Sequence, residues 1–214
     1  MDLNIRNDSK GLTIIELLIA FVIFAMLIAG IYRFFVVQGR AYSVQDHVVE
    51  TQQNIRSSME ILLRDLRMAG YDDDSLSSQI VVSTPLIPGT DNITINYEYD
   101  PVTQYSVRYW RDVNSRELKR QLTTISSSGV STESPEEVLV DSVEEFHLTY
   151  GIDINSDNLL DRWVEANEIN LGDKIVAIRI RLTSTPQQVL EETQKMMSPR
   201  RLETTVALRN QCLR

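Results

Sequence analysis

Cysteine is nearly absent from this sequence. The single Cys212 in 214 residues rules out an intrachain disulfide, so cysteine usage says nothing firm about the redox compartment. Histidine is almost as scarce: only His47 and His147 occur, and they form no Cys/His metal cluster. Eight glycines are spread along the chain without a phosphate-cradling loop or a nucleotide fingerprint, and no G-x-S-x-G motif is present. No enzyme is expected from this inventory. Lys and Arg together number 21 against 30 Asp and Glu, giving a formal net charge of −9. Affinity for nucleic acid comes mostly from Lys and Arg neutralising phosphates, so no nucleic-acid partner is expected. The pair Arg200-Arg201 is a local exception to the acidic balance.

Against these absences stands one long apolar run, Leu12-Thr-Ile-Ile-Glu-Leu-Leu-Ile-Ala-Phe-Val-Ile-Phe-Ala-Met-Leu-Ile-Ala-Gly-Ile-Tyr32, whose only charge is Glu16. About 20 apolar residues suffice for a helix to cross a bilayer. A buried core helix normally keeps a polar face, and this run is apolar all round. Arg6 and Lys10 precede it on a short flank, which favours a cytoplasmic N-terminus and places the rest of the chain outside the cytoplasm. An ordinary secretory signal would have an apolar stretch of about 7–15 residues ending in an A-x-A-like site. Here the run is longer and passes into Gly30-Ile31-Tyr32-Arg33. A carboxylate within such a run is costly, by roughly 2.5–3.5 kcal/mol at mid-helix, and so marks a functional position.

The stretch Lys10-Gly11-Leu12-Thr13-Ile14-Ile15-Glu16-Leu17-Leu18-Ile19-Ala20 resembles the class III signal of type IV prepilins and type II secretion pseudopilins. The resemblance implies cleavage by a prepilin peptidase between Gly11 and Leu12 and methylation of the new N-terminus at Leu12. It also makes Glu16 the acid that acts in assembly together with Leu12. The expected divisions are a cleaved leader (1–11), an N-terminal helix (12–70) that spans the membrane to about residue 37, and a globular head (71–214). Asp2, Arg6, Asp8 and Lys10 cancel, so cleavage leaves the net charge unchanged. Leu12 stands where the family favours phenylalanine. Arg33 stands where many major pilins have a helix-kinking proline, so a bend or melted turn is expected elsewhere, near Gly30 or Gly39.

After Gly39 the pattern turns amphipathic. Val44, Val48, Gln52, Ile55, Met59, Leu62, Leu66 and Ala69 recur at helical spacing and predict one packed face, with Gln52 its polar interruption. Gly70 supplies a stop signal, and Arg64 and Arg67 suit the last turn. A helix from Leu12 to about Ala69 would be roughly 85 Å long. Arg64-Asp65-Leu66-Arg67-Met68-Ala69-Gly70-Tyr71 is similar to the end of the N-terminal helix in PilW-type minor pilins and J-type pseudopilins.

From about residue 80 the period becomes two. Ile93, Ile95, Tyr97 and Tyr99 alternate with polar residues, as do Tyr105, Val107 and Tyr109, with Pro101 at the connection between them. Further strands are expected at 117–123, 143–150, 175–183 and 204–209. Strands that follow one another without intervening helices imply antiparallel pairing. The fold class is α+β: a long N-terminal helix packed on an antiparallel β-sheet head. The last strand, Thr204-Thr205-Val206-Ala207-Leu208-Arg209-Asn210, is again similar to the final strand of the J- and W-type minor pilins. The Ser/Thr/Glu-rich stretch 123–137 and the segment 186–199 are expected as connections, the latter with a short helix over 187–197 that offers Met196 and Met197 for docking.

Asp153, Asn155, Asp157 and Asp161, with the Leu159 carbonyl, occupy positions one, three, five, nine and seven of an EF-hand-like calcium loop. Asn158 replaces the turn glycine and Val164 the twelfth-position carboxylate, with Glu165 one residue late. The alternative is an Asp/Asn-rich turn that caps a hairpin. No cofactor is required, with calcium the candidate ion.

The resemblance implies a minor pilin of the PilW type that takes part in type IV pilus assembly within the initiating complex at the tip. Its partners would be prepilin peptidase, other minor pilins or pseudopilins, the major pilin, the inner-membrane assembly platform and membrane lipid. Its location would be the inner membrane in a single pass, then the filament tip. Two alternatives stay open: a J-type minor pseudopilin of a type II secretion system, and a tip adhesin or DNA-uptake pilin.

Overall fold

The computed structural model describes Gly11 and residues 13–72, 79–170, 172–186, 197–208 and 210. The leader residues 1–10, Leu12, most of the expected 187–197 helix (including Met196) and Cys212 lie outside the described residues. The chain falls into two compact units, Met1–Gln45 and Asp46–Arg214.

Helix α1 runs from Ile14 to Met68. Its apolar first part is long and apolar enough to cross a membrane, and none of that stretch is buried within the chain. Leu17, Phe21, Phe24, Leu27, Ile31 and Phe35 all stand exposed. A melted turn at glycine is corrected: the helix continues through Gly30, Arg33 and Gly39 without losing its hydrogen-bonded form. A cost of roughly 1 kcal/mol per helical glycine is too small to break so long a ladder.

The second unit holds the rest of α1 and ten strands, β1 (Leu86–Pro88), β2 (Asn92–Asp100), β3 (Thr103–Asp112), β4 (Glu117–Ser126), β5 (Ser131–Glu133), β6 (Glu137–Val140), β7 (Val143–Asp153), β8 (Arg162–Val164), β9 (Lys174–Ser184) and β10 (Arg200–Ala207). A 3-10 turn at Ala166–Glu168 follows β8. The strands form two sheets. One has the order β1-β2-β3-β4-β5, with β6 also on β4; the other has the order β10-β9-β7-β8. The pairings are antiparallel throughout. Pro101 lies in the β2–β3 turn, where its missing N–H takes nothing from the ladder.

One hydrophobic cluster joins the helix to both sheets. It contains Ile55, Met59, Leu62 and Leu66 of α1, Ile93 and Ile95 of β2, Val107 and Tyr109 of β3, and Leu148, Tyr150, Ile178 and Ile180 of β7 and β9. The expected stripe holds only from Ile55 onward. Val44 and Val48 are half-buried and Gln52 is exposed, while Ser58 and Asp65 fall on the buried face. Ser58 is accommodated by donating to the Leu139 carbonyl at 3.0 Å. Gly70 adopts φ 71°, the left-handed conformation that ends helices without a Cβ clash. Asn210 Nδ2 then donates to the carbonyls of Arg67 at 3.2 Å and Ala69 at 3.4 Å, satisfying acceptors that the helix end leaves open.

Two more readings are corrected. The 123–137 stretch is not one loop: β4 extends to Ser126, β5 adds a short strand, and β6 begins at Glu137. The final strand starts at Arg200, earlier than expected, because Arg200↔Ser184 already pairs on β9.

Candidate functional site: the helix start and its acid

Thr13 precedes the first helical residue and Glu16 lies in the first turn. The backbone N–H of Thr13 donates to Glu16 Oε2 at 3.0 Å, and the Thr13 hydroxyl donates to the same oxygen at 2.9 Å. The N–H of Glu16 donates to Thr13 Oγ1 at 3.4 Å. This reciprocal arrangement is a capping box, which satisfies two of the backbone donors that a helix start leaves open. The positive end of the helix dipole also favours a carboxylate here. Sequence reading singled out Glu16 for its charge and passed over Thr13, although the Thr-x-x-Glu spacing ahead of an apolar run is the signature of this box.

The box has a chemical consequence. All of the carboxylate's hydrogen bonds to described residues fall on Oε2. Oε1 keeps its acceptor capacity for a group from outside this stretch of chain. Gly11 is exposed, and a Cβ there would meet nothing within 4 Å, so the expected cleavage bond follows an open position. The amide between Leu12 and Thr13 would survive that cleavage, and with it the N–H that caps Glu16.

A second set of acids is used differently. Asp153 is buried at the end of β7, where its Oδ1 accepts the N–H of Asn155 (3.1 Å) and Ser156 (2.7 Å) and its Oδ2 that of Asn158 (2.8 Å). Asn155 Oδ1 accepts from Asp157 N–H, Asp157 Oδ1 from Leu159 N–H, and Asp161 Oδ2 from Ile154 N–H. Burial alone would raise the Asp153 pKa, and these backbone donors outweigh it and hold the pKa below the usual value. Ser156 and Asn158 take positive φ, 64° each, which the turn requires. Among the described residues no group of three or more His, Cys, Asp or Glu is placed to hold a metal ion. The loop as it stands is a turn knotted by its own side chains.

A third polar cluster ties α1 to the first sheet, and sequence reading did not foresee it. Tyr109 donates its hydroxyl to Asp65 Oδ2 at 2.6 Å, and Arg120 Nη2 reaches the same oxygen at 3.1 Å. Arg120 Nε also donates to the Tyr109 oxygen at 3.1 Å. Burial, with Asp65 beside it, pushes the Tyr109 hydroxyl far above its ordinary pKa, so it stays a donor at any physiological pH. The histidines lie apart. His47 on α1 is 3.6 Å from Glu50, and His147 on β7 is 3.2 Å from Glu165.

Comparison with known proteins matches both ends of this description. The family model for Type IV Pilus-assembly protein W matches residues 104–210, half of the chain. The prokaryotic N-terminal methylation motif matches residues 6–32, which include Gly11, Thr13 and Glu16. No curated protein and no solved structure matches the chain significantly.

Proposed function

The chain belongs to the type IV pilus-assembly protein W family, and from that premise we propose that it is a minor pilin of the complex that initiates the pilus and stays at its tip. The observation that carries this reading is the joining of a prepilin-type N-terminus to a W-type head in one chain. Prepilin peptidase cuts between Gly11 and Leu12, and Leu12 is methylated. The apolar part of α1 anchors the product in the inner membrane, with the head on the far side. Growth then moves the helix from lipid into the packed helices of the filament.

Glu16 directs that transfer. A carboxylate surrounded by lipid needs a partner or must take a proton. Thr13 satisfies one oxygen, and the free Leu12 amine of a neighbouring subunit supplies the other with a positive charge. The pairing fixes the axial register between subunits and contributes little to the fold of the head. Energy for extension comes from a separate motor, since the sequence carries no nucleotide signature. The other partners are further minor pilins, the major pilin and the inner-membrane platform. Deleting the gene and scoring both surface pili and secretion of folded exoproteins tests the reading. Loss of pili with intact secretion supports it; loss of secretion with intact pili assigns the chain to a type II secretion pseudopilus instead.

A further inference from the structure

A polar cleft of about 380 Å³ opens beside α1, lined by one helical face from His47 to Asn54 and, opposite it, by the β3–β4 and β6–β7 turns and the end of β9. Five hydroxyls line it, and four are used within the chain. Thr51 donates to the His47 carbonyl at 2.8 Å, Ser115 to Glu117 Oε2 at 2.8 Å, Ser184 to the Asp141 carbonyl at 2.7 Å and Thr185 to Glu144 Oε1. The fifth, Ser142 Oγ, has no hydrogen-bond partner, although the residue is only 9% exposed. Ser142 also sits at φ 55°, a conformation that costs a non-glycine residue. A buried hydroxyl left unpaired is costly, and it calls for a group from outside the chain.

Two further buried polar atoms lack a partner, Glu165 Oε2 and Arg200 Nε, and both lie outside this cleft. Each belongs to a residue that is only partly buried, and the other Glu165 oxygen already meets His147 at 3.2 Å. Among the three, Ser142 alone puts a nine-tenths buried side chain at the wall of a cleft.

The charge of the cleft selects what can reach that hydroxyl. Its carboxylates are Glu50, Glu117 and Asp141. Glu50 is 3.6 Å from His47, so that pair is already formed within the cleft, and Glu117 is 3.7 Å from Lys119. Asp141 is exposed and makes no ion pair with any described residue. The unpaired charge and the unpaired hydroxyl therefore sit on adjacent residues. An anionic guest would be repelled here, whereas a cation with N–H donors satisfies both. Among the described residues no group of acids is placed to hold a metal ion, which leaves an ammonium or guanidinium group as the fitting cation.

We propose that this cleft receives a Lys- or Arg-bearing segment from the head of a different pilin subunit, with the cation against Asp141 and an N–H on Ser142 Oγ. That the guest is a pilin rests on the reading above; that it is basic follows from the cleft. A second copy of this chain is a poor guest, because two chains of net charge −9 repel. One cleft takes one neighbour, so the contact closes without a growing series of copies, as membership of a mixed tip complex requires.

Photo-crosslinking in the cells that make the protein tests the contact, with Asn54→p-benzoylphenylalanine placing the probe in the cleft of the full-length chain. Mass spectrometry of the product should find a Lys- or Arg-containing segment of another protein with a prepilin-type N-terminus. Asp141→Lys should lower the yield at least about tenfold, and changing the identified basic residue of that partner to Glu should restore it. Ser142→Ala should lower the yield by about threefold or more while the melting temperature of the detergent-extracted protein holds, because the hydroxyl has no partner within the chain. Crosslinks only to a second copy or to lipid, no crosslink at all, or an unchanged yield in Asp141→Lys overturns the proposal. So does a lower melting temperature in Ser142→Ala, which would place the hydroxyl's role inside the head. The N-terminus of the same protein tests the pilin reading separately: a chain that begins at Leu12 and gives no crosslink removes only the cleft contact, and one that begins beyond Tyr32 removes the pilin reading.

Discussion

The backbone N–H of Thr13 donates to Glu16 Oε2 at 3.0 Å while the N–H of Glu16 reaches back to Thr13 Oγ1 at 3.4 Å. The acid of the N-terminal motif is therefore both a helix cap and a charge, and the two roles can be separated. Glu16→Gln keeps an acceptor for the cap and removes the charge. It should lower recovery of the protein in sheared filaments by roughly tenfold or more, the scale of a lost close charge pair. Thr13→Ala removes the cap, costs about 1 kcal/mol at the helix start, and should leave most of the incorporation in place. Quantitative immunoblots of filament and membrane fractions give both numbers. Equal incorporation of Glu16→Gln and wild type would show that the charge does not matter.

Asp65 predicts a stability effect far from that site. It is 2% exposed and accepts from both Tyr109 and Arg120. Asp65→Ala leaves a buried hydroxyl without its acceptor and a half-buried guanidinium with only Glu137 as a carboxylate partner, so denaturant unfolding should show a loss of about 3 kcal/mol. Tyr109→Phe removes a single hydrogen bond to a charged group and should cost about 1.5–3 kcal/mol. A loss below 1 kcal/mol for Asp65→Ala would show that the cluster is not a fastening between α1 and the sheet.

Acid should destabilise the head through Asp112. A hydrogen bond from Lys119, followed by the N–H groups of Asn114 and Ser115, lowers its pKa from an ordinary 3.8 to about 2. A carboxylate depressed in the folded state contributes stability that is complete above its unfolded pKa and is lost as pH falls through its folded pKa. The expected window of loss is thus between about pH 4 and pH 2. Its partner Lys119 is raised to about 12, chiefly by the same hydrogen bond, and its contribution is lost at the alkaline end as pH rises past the unfolded value toward 12. Lys119→Met should flatten both limbs of a pH series of melting temperatures. An unchanged acid limb in that variant would remove Asp112 as its cause.

The 153–161 turn predicts how the head responds to calcium. Asp153 already accepts three backbone N–H groups from its own loop. Asp153→Ala should lower the melting temperature by the same amount with and without millimolar calcium, and wild type should not shift. A rise with calcium that Asp157→Ala abolishes would instead establish an ion site.

Much of this organisation was legible in the sequence. The apolar run, the lone Glu16 and the Gly70 stop announced α1, because length, charge and backbone freedom are local properties. Alternation placed β2, β3, β7 and β9 for the same reason: Ile178, Ile180 and Leu182 are buried while Arg179 and Arg181 are half-exposed. The strands that escaped, β1, β5, β6 and β8, are only three or four residues long, too short to show a period. Val44 and Val48 fit the helical spacing, yet burial on the core face begins at Ile55, a limit set by tertiary packing rather than by spacing. Asp65 on the buried face was hidden for a related cause: Tyr109 and Arg120, which make its charge tolerable, lie 44 and 55 residues away.

The most direct test of the central claim is mass spectrometry of the N-terminal peptide, taken from protein recovered both from inner membranes and from sheared pili. The account predicts a peptide that begins at Leu12, carries one added methyl group on its amine and retains the whole apolar part of α1. A natural protein that begins beyond Tyr32, with that stretch cut away, would contradict it.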